Sequence, residues 1–118
     1  MKLNWIEIKS DADLTKIIEE SYWENVVGIA IFKHSTCCSI SSIAKNRLAS
    51  FWDFNKNLPI YYLDLIAFRS ISDNIAEKFN IRHESPQLLV IKNGQCVFDA
   101  SHLAISVKSL HKGLEIKN

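Results

Sequence analysis

Residues 26–32 form an uninterrupted apolar run that is rich in β-branched side chains. A strand with one solvated face alternates apolar and polar residues, whereas a continuous run is typical of a strand that is covered on both faces. The run therefore predicts a central strand over Val26–Phe32, in the middle of a sheet.

Strand and helix patterns alternate on both sides of this run. Residues 5–8 resemble an edge strand, and residues 10–22 have the capping residues and spacing of a helix. Ile60–Asp64 is a second apolar strand, and Ser72 with Asp73 is predicted to cap a following helix. Between these two strands we expect a helix whose apolar stripe faces the sheet and comprises Ile40, Ile43, Ala44, Arg47, Leu48 and Phe51.

The second half of the chain contains a strong hairpin signal. Asn93 and Gly94 separate two strand-like segments, residues 87–92 and 95–99, and a last helix is predicted around residues 107–114. The sequence thus predicts an α/β fold in one domain over residues 1–118. Its central mixed β-sheet is flanked by helices, in the order βαβαβαββα.

Composition narrows the function classes. The chain of 118 residues has 14 basic and 13 acidic residues and no basic tract, so we expect no nucleic-acid partner. No apolar run approaches the roughly 18 residues that span a membrane, and the first residues lack the core of a signal peptide. Three cysteines without a framework spacing favour reduced thiols. We therefore expect a cytoplasmic protein without a membrane partner.

Cys38 is the candidate nucleophile because it follows the central strand and precedes a helical pattern. At a helix N-terminus, unpaired N–H groups and the helix dipole stabilise a thiolate. A dithiol site would carry its resolving cysteine three residues later, where this chain has Ser41. The site is thus predicted to be monothiol, and the Ser41 hydroxyl either hydrogen-bonds the thiolate or caps the helix.

The sequence allows more than one role for the residues near Cys38. Cys37 is either dispensable or forms a strained disulfide with the adjacent thiol, and Cys96 is expected to be a small buried hydrophobe. Lys33 and His34 precede the site, where each either stabilises the thiolate, contacts an anionic thiol ligand or is a solvated loop charge.

Two short stretches at this position resemble a known family. Phe32–Thr36 followed by Cys38–Ser41 is similar to the active-site stretch of the monothiol bacilliredoxins, the YtxJ group of thioredoxin-like proteins. Their site is typically of the Thr-Cys-Pro-Ile-Ser type. Cys38 matches the nucleophile, Thr36 matches approximately with one extra residue between them, and Ser39 replaces the common proline, while the last two positions match directly.

The resemblance extends to His83–Gln87, which looks like the segment that carries a cis-proline facing the nucleophile. By this resemblance Pro86 takes that role and the backbone of Ser85 becomes an extended edge beside Cys38, with Arg82 and His83 near the same rim. The implied activity removes bacillithiol from protein mixed disulfides. Bacillithiol is then a transient mixed-disulfide partner, no cofactor is tightly bound, and the partners are bacillithiolated client proteins and a small-molecule thiol.

Two other functions remain open. A monothiol glutaredoxin-like protein would use the same attack on another small thiol, although glutaredoxins usually carry tyrosine or proline next to the nucleophile. A non-enzymatic thiol-binding or metal-binding module could use His34, Cys37 and Cys38 as soft ligands. A closed zinc or iron–sulfur site needs about four ligands, and no second ligand pair has suitable spacing.

Overall fold

The computed structural model describes residues 3–54 and 57–115, which form five strands and four helices. The strands are β1 (Trp5–Glu7), β2 (Ile29–His34), β3 (Ile60–Asp64), β4 (Gln87–Lys92) and β5 (Gln95–Ser101). The helices are α1 (Asp11–Glu20), α2 (Ser39–Phe51), α3 (Arg69–Phe79) and α4 (Val107–Glu115), and a 3-10 turn covers His102–Ala104. This order confirms the predicted βαβαβαββα succession. The predicted domain also includes residues 1–2, 55–56 and 116–118, which lie outside the described residues.

The five strands form one mixed sheet in the order β1-β3-β2-β4-β5. β3 pairs in parallel with both β1 and β2, whereas β4 runs antiparallel to β2 and β5. The predicted central strand is therefore in the middle of the sheet. No helix of the described residues is long and apolar enough to cross a membrane.

The sheet separates two apolar cores. β2 is buried along its whole length. Its side chains Ile29 and Ile31 enter the core shared with α1 and α3, whereas Ala30 and Phe32 enter the core shared with α2 and α4. Since successive side chains of a strand point to opposite faces, the continuous apolar run follows directly from this double burial.

β2 is displaced from the predicted strand Val26–Phe32. It begins at Ile29 and continues to His34, because its parallel pairing with β3 extends through Lys33 and His34. The interpretation of these two residues as part of a loop is therefore wrong. They end the central strand and continue its alternation between the two faces.

The predicted apolar stripe of α2 is partly wrong. Ile40, Ile43 and Phe51 are exposed, and Phe51 retains 70% of its accessible surface. The face that the helix buries is narrower and contains Ser41, Ala44 and Leu48. The small polar residue Ser41 thus faces inward, whereas the apolar pattern predicted this for its neighbours Ile40 and Ile43.

α3 begins at Arg69, so the prediction that Ser72 and Asp73 cap this helix is wrong. The chain enters the helix through a turn built on Asp64, whose carboxylate accepts hydrogen bonds from the N–H groups of Ile66 and Ala67. Ser72 consequently lies inside the helix and is fully buried.

The predicted hairpin is confirmed. Asn93 and Gly94 both have positive φ, 54° and 74°, as a two-residue turn that follows the twist of the strands requires. β5 continues beyond the predicted end and pairs Ser101 with Gln87. The end of β5 therefore lies at the same end of the sheet as the carboxyl end of β2.

Candidate active site

Cys38 lies where the chain passes from β2 into α2. It is the N-cap residue of α2, and its N–H donates to the carbonyl of Ser35 at 3.1 Å, which closes a short turn. Thr36 and Cys37 occupy this turn and are exposed, whereas Cys38 is partly buried. The first N–H groups of a helix have no partner within the helix, and they stabilise negative charge together with the helix dipole. This geometry suits a nucleophilic thiolate.

The side chain of Ser41, three residues after Cys38, points inward and contacts two neighbouring residues. Its Oγ accepts the N–H of Ser35 at 3.0 Å and lies 2.6 Å from Nδ1 of His34. The bond from Ser35 leaves the hydroxyl proton free to be donated to Nδ1, and we assign this arrangement, in which His34 is the Nε2–H tautomer. Ser41 thus connects the end of β2 to the turn that positions Cys38.

His34 is buried on the α2 face and lies among aromatic rings. Its ring centroid is 5.8 Å from that of Phe32 and 5.5 Å from that of Tyr62. Burial lowers the pKa of His34 below its ordinary value of 6.5, and the charge of Lys45 lowers it further, against the opposing effects of Asp64 and Ser41. His34 is therefore neutral at pH 7 and adds no positive charge to the site.

Lys33 points to the opposite face of the sheet and has no exposed surface. Its Nζ donates to the main-chain carbonyl of Ser72 in α3 at 3.2 Å. Burial lowers the pKa of Lys33 to about 8, although Asp73 favours the charged form. The interpretation of Lys33 and His34 as solvated charges is wrong, and neither side chain forms an exposed contact surface for a ligand.

Pro86 lies directly before β4, and the Ser85–Pro86 peptide bond is cis, as the resemblance implied. Lys33 is paired with Gln87, so the chain preceding Gln87 passes beside the residues that follow β2. Within the described residues, the backbone of Ser85 has no hydrogen-bond partner. The structure therefore brings Ser85 and Pro86 to the end of the sheet where α2 begins.

A charged rim borders Pro86. The N–H of His102 donates to the carbonyl of Pro86 at 3.0 Å, and its Nε2 lies 3.6 Å from a carboxylate oxygen of Glu84. The other oxygen of Glu84 lies 3.8 Å from Nε of Arg82. The prediction that Arg82 lies near the rim fits this arrangement, and Arg82 is largely exposed.

His83 differs from its neighbours in the rim because its ring turns inward. Its Nδ1 lies 3.3 Å from the hydroxyl of Ser72. Burial lowers the pKa of His83, and the positive charges of Lys33 and Arg69 lower it further. His83 is thus partly buried and belongs to a polar group with Ser72.

Sequence reasoning missed Ser72, Gln87 and His102. His102 had no distinguishing pattern, since its positive φ of 55° appears only in the folded chain. Gln87 offered a signal, because a polar residue directly precedes the apolar run of residues 88–91. Ser72 was noticed, but as a helix cap.

The third cysteine is distant from this end of the sheet. Cys96 pairs with Ile91, near the hairpin turn, and its thiol donates to the carbonyl of Phe98 at 3.2 Å. Burial raises the pKa of Cys96 to about 11. These properties fit the expected packing role.

The residues weighed as soft metal ligands lie in different environments. His34 is buried beside Ser41, whereas Cys37 is exposed on the turn. Among residues 3–54 and 57–115, no group of three histidine, cysteine, aspartate or glutamate side chains is arranged to hold a metal ion.

Comparison with known proteins connects this geometry to a family. The model of the family described as monothiol bacilliredoxin BrxC matches residues 6–110. One solved structure with a thioredoxin fold and a proposed oxidoreductase role is 33% identical, with a TM-score of 0.79 and 92% of each chain covered.

Two thioredoxins show the fold alone. The thioredoxin of Malassezia sympodialis is 16% identical, with a TM-score of 0.69 and coverage of 98% of this chain and 91% of its own. That of Trypanosoma brucei brucei is 11% identical, with a TM-score of 0.72 and coverage of 100% and 96%. Together with the family match, these findings confirm the resemblance seen in the active-site stretch. The chain belongs to the monothiol bacilliredoxin family and is a thiol-disulfide oxidoreductase with a thioredoxin-like fold.

Proposed function

We propose that this protein removes bacillithiol from mixed disulfides on client proteins through nucleophilic attack by Cys38. The family match supports the reaction class. The observation that carries the assignment to Cys38 is its place as the N-cap residue of α2, with the buried Ser41 at the position of a resolving cysteine.

In the proposed reaction, the Cys38 thiolate attacks the bacillithiol sulfur of the mixed disulfide in line with the S–S bond. A disulfide forms between Cys38 and bacillithiol, and the client cysteine leaves as a thiolate that takes a proton from solvent. The number of disulfides is unchanged, so this step needs no external electrons. An external thiol must then release bacillithiol from Cys38, because Ser41 cannot form a disulfide.

The proposed docking edge is the backbone of Ser85. Its N–H and carbonyl have no partner among the described residues, and Ser85 lies at the same end of the sheet as Cys38. An extended client segment can pair with such an edge through main-chain hydrogen bonds, which are independent of client sequence. The edge therefore suits many bacillithiolated clients. Exposed Thr36 and Cys37 border the approach to the nucleophile.

We further propose a single domain over residues 1–118 and a cytoplasmic location. All three cysteines are free, and the proposed reaction consumes a reduced thiol in each cycle. A reducing compartment keeps thiols in that state.

Intact mass measurement tests the proposal. Reduced protein is mixed with a client that carries bacillithiol on one cysteine, and the same client carrying glutathione is the parallel substrate. We expect bacillithiol to appear on Cys38, with much less transfer from the glutathione client. Equal transfer of both would favour a glutaredoxin-like choice of thiol, and transfer of neither would contradict the proposal.

The adjacent cysteines provide a matched pair of variants. Cys38→Ala should abolish adduct formation, because the attacking sulfur is lost, while Cys37→Ala should lower transfer by less than about threefold. Circular dichroism checks that both variants are folded. Full transfer by Cys38→Ala would disprove the assignment, and complete loss in Cys37→Ala would make the cysteine pair the functional unit.

A further inference from the structure

Lys33 has a placement that packing alone does not explain. Its side chain is completely buried, but the ion pairs of the described residues do not include it. The nearby carboxylate of Asp73 is bound instead by Arg69, with Nε and Oδ1 3.2 Å apart. Burying an ammonium group without a carboxylate partner is costly, and an apolar side chain of similar length would avoid that cost.

Within the described residues, the side chain of Lys33 makes one hydrogen bond, which reaches α3. Its Nζ donates to the carbonyl of Ser72, and the hydroxyl of the same serine pairs with Nδ1 of His83. Lys33 is thus connected through one residue to the segment that joins α3 to β4. We name residues 82–86 the proline segment.

A second connection starts from the strand beside Lys33. Gln87 is directly opposite Lys33 in the β2–β4 pairing, so both side chains lie on the α3 face. The side-chain Nε2 of Gln87 donates to the carbonyl of Arg82 at 2.9 Å. Its Oε1 is buried and has no hydrogen-bond partner among the described residues, so this amide is held by the bond to the proline segment.

These connections hold one end of the proline segment, while its other end lies at the candidate active site. Arg82 and His83 are bound from inside the protein by Gln87 and Ser72. Among the described residues, the backbone of Ser85 has no hydrogen-bond partner, and it lies at the end of the sheet where Cys38 lies. A group that fixes residues 82 and 83 therefore limits how far the backbone of residue 85 can move.

We propose that Lys33 is a positioning residue that holds the proline segment through Ser72 and its bond to residue 83, beside the bond of Gln87 to residue 82, so that Ser85 can dock the client protein. This inference rests on the proposed function, because it assigns a role to the edge that receives the client. It gives Lys33 no contact with the reacting sulfur atoms. Loss of Lys33 should weaken client docking and leave the intrinsic reactivity of Cys38 intact.

The test compares two lysines that both donate to main-chain carbonyls. Lys33→Met removes the buried ammonium and keeps the length of the side chain. Lys92→Met is the matched control, since Lys92 donates to the carbonyls of Trp23 and Val26 at the other end of β4. For each variant, kcat and KM are measured with the bacillithiolated client. The alkylation rate of Cys38 by iodoacetamide, read by peptide mass spectrometry, reports reactivity without a docked protein.

We expect Lys33→Met to lower kcat/KM about tenfold, mainly through a higher KM, because docking is the step affected. Its alkylation rate should stay within about twofold of wild type, and Lys92→Met should keep both values. Unchanged kcat/KM in Lys33→Met would overturn the inference. An equal fall in the alkylation rate would also overturn it, since Lys33 would then act on Cys38. An equal fall of kcat/KM in Lys92→Met would overturn it as well.

Two further outcomes remain decisive. If Lys33→Met does not fold, Ser72→Ala replaces it, because this change removes the bond to His83 and keeps the carbonyl that Lys33 binds. A higher KM with normal alkylation then supports the inference, and an unchanged KM overturns it. If the wild-type protein transfers neither bacillithiol nor glutathione from a client, the proposed function itself fails. If the wild-type protein is active and Lys33→Met has the same kcat/KM, only the proposed role of Lys33 is disproved.

Discussion

Two consecutive polar residues at the end of β2, Lys33 and His34, have different environments on the two faces of the sheet. On the α2 face, His34 is neutral, and Ser41 joins it to the turn that positions Cys38. On the α3 face, Lys33 is a buried cation below about pH 8, and its bond to Ser72 leads to residue 83. One network supports the nucleophile, and the other supports the segment before β4.

The difference shows how one strand end can serve two parts of a site. Side chains of β2 alternate between the faces, so adjacent residues reach α2 and α3 without any additional element. The α2 network is compact, with the Ser41 hydroxyl bonded to both Ser35 and His34. The α3 network is larger and leaves the buried Oε1 of Gln87 without a partner among the described residues. We therefore expect the stability of this network to depend more strongly on the charge of its residues.

The largest expected effect comes from Ser41→Cys. Residues three apart at the start of a helix are neighbours, so a thiol at position 41 can approach Cys38 with a small local adjustment. It should attack Cys38 in the mixed disulfide and release bacillithiol, which lowers the accumulated adduct at least about tenfold. Intact mass would then show an internal disulfide. Ser42→Cys, on the exposed side of the same turn, should keep the adduct.

This variant tests the geometry of the α2 face directly. A persistent bacillithiol adduct on Cys38 in Ser41→Cys would mean that position 41 is turned away from the nucleophile. The conclusion that the α2 network supports the nucleophile would then be wrong.

The second effect is a change of stability in alkaline solution that belongs to the α3 face. The folded protein holds the pKa of Lys33 at about 8, against 10.5 in the unfolded chain. Between these values the unfolded chain binds the proton and the folded chain does not, so folding becomes more favourable as pH rises. The free energy of unfolding of wild type, minus that of Lys33→Met, should increase across this range by at most about 3 kcal/mol.

Urea unfolding at several pH values between 7 and 11 measures this difference. Subtracting the variant removes contributions from Tyr61, whose pKa is raised by burial and by Glu20 and which therefore opposes folding in strong alkali. A difference that is independent of pH would mean that Lys33 has an ordinary pKa and is not desolvated.

A third, smaller effect is expected for Ser41→Ala. The change leaves the N–H of Ser35 and Nδ1 of His34 without their buried partner, and should lower the free energy of unfolding by about 2 kcal/mol. The exposed Ser42→Ala should change it by less than about 0.5 kcal/mol. Equal losses in the two variants, measured by urea unfolding, would show that the α2 network adds nothing to stability.

Local sequence patterns predicted the parts of the fold that local physics decides. The apolar run before residue 33 marked the central strand, and Asn93 with Gly94 marked the hairpin because their positive φ angles suit its turn. The position of Cys38 before a helical pattern likewise needed only the order of elements. These features do not depend on how distant segments pair.

The remaining features depend on tertiary pairing. Lysine is ordinarily exposed, so nothing near Lys33 predicted its burial. It follows from the pairing of β2 with β3 and from the bond to Ser72, 39 residues away. Similarly, the inward side chain of Ser41 is bonded to Ser35 and His34, while Ile40 and Ile43 face outward. The apolar stripe alone does not show which side of the helix faces the sheet.

The smallest expected effect compares the two histidines in acid. Burial lowers the pKa of both His34 on the α2 face and His83 on the α3 face. Below their ordinary pKa of 6.5, the unfolded chain takes up protons that the folded chain resists, so stability should fall as pH decreases toward 5. We expect His34→Gln to reduce this fall more than His83→Gln, because His34 is almost completely buried and His83 is partly exposed. The difference between the variants should be below about 1 kcal/mol in urea unfolding at pH 7, 6 and 5. A larger change in His83→Gln would assign the acid sensitivity to the α3 face, since protonated His83 would then add a second positive charge beside Lys33.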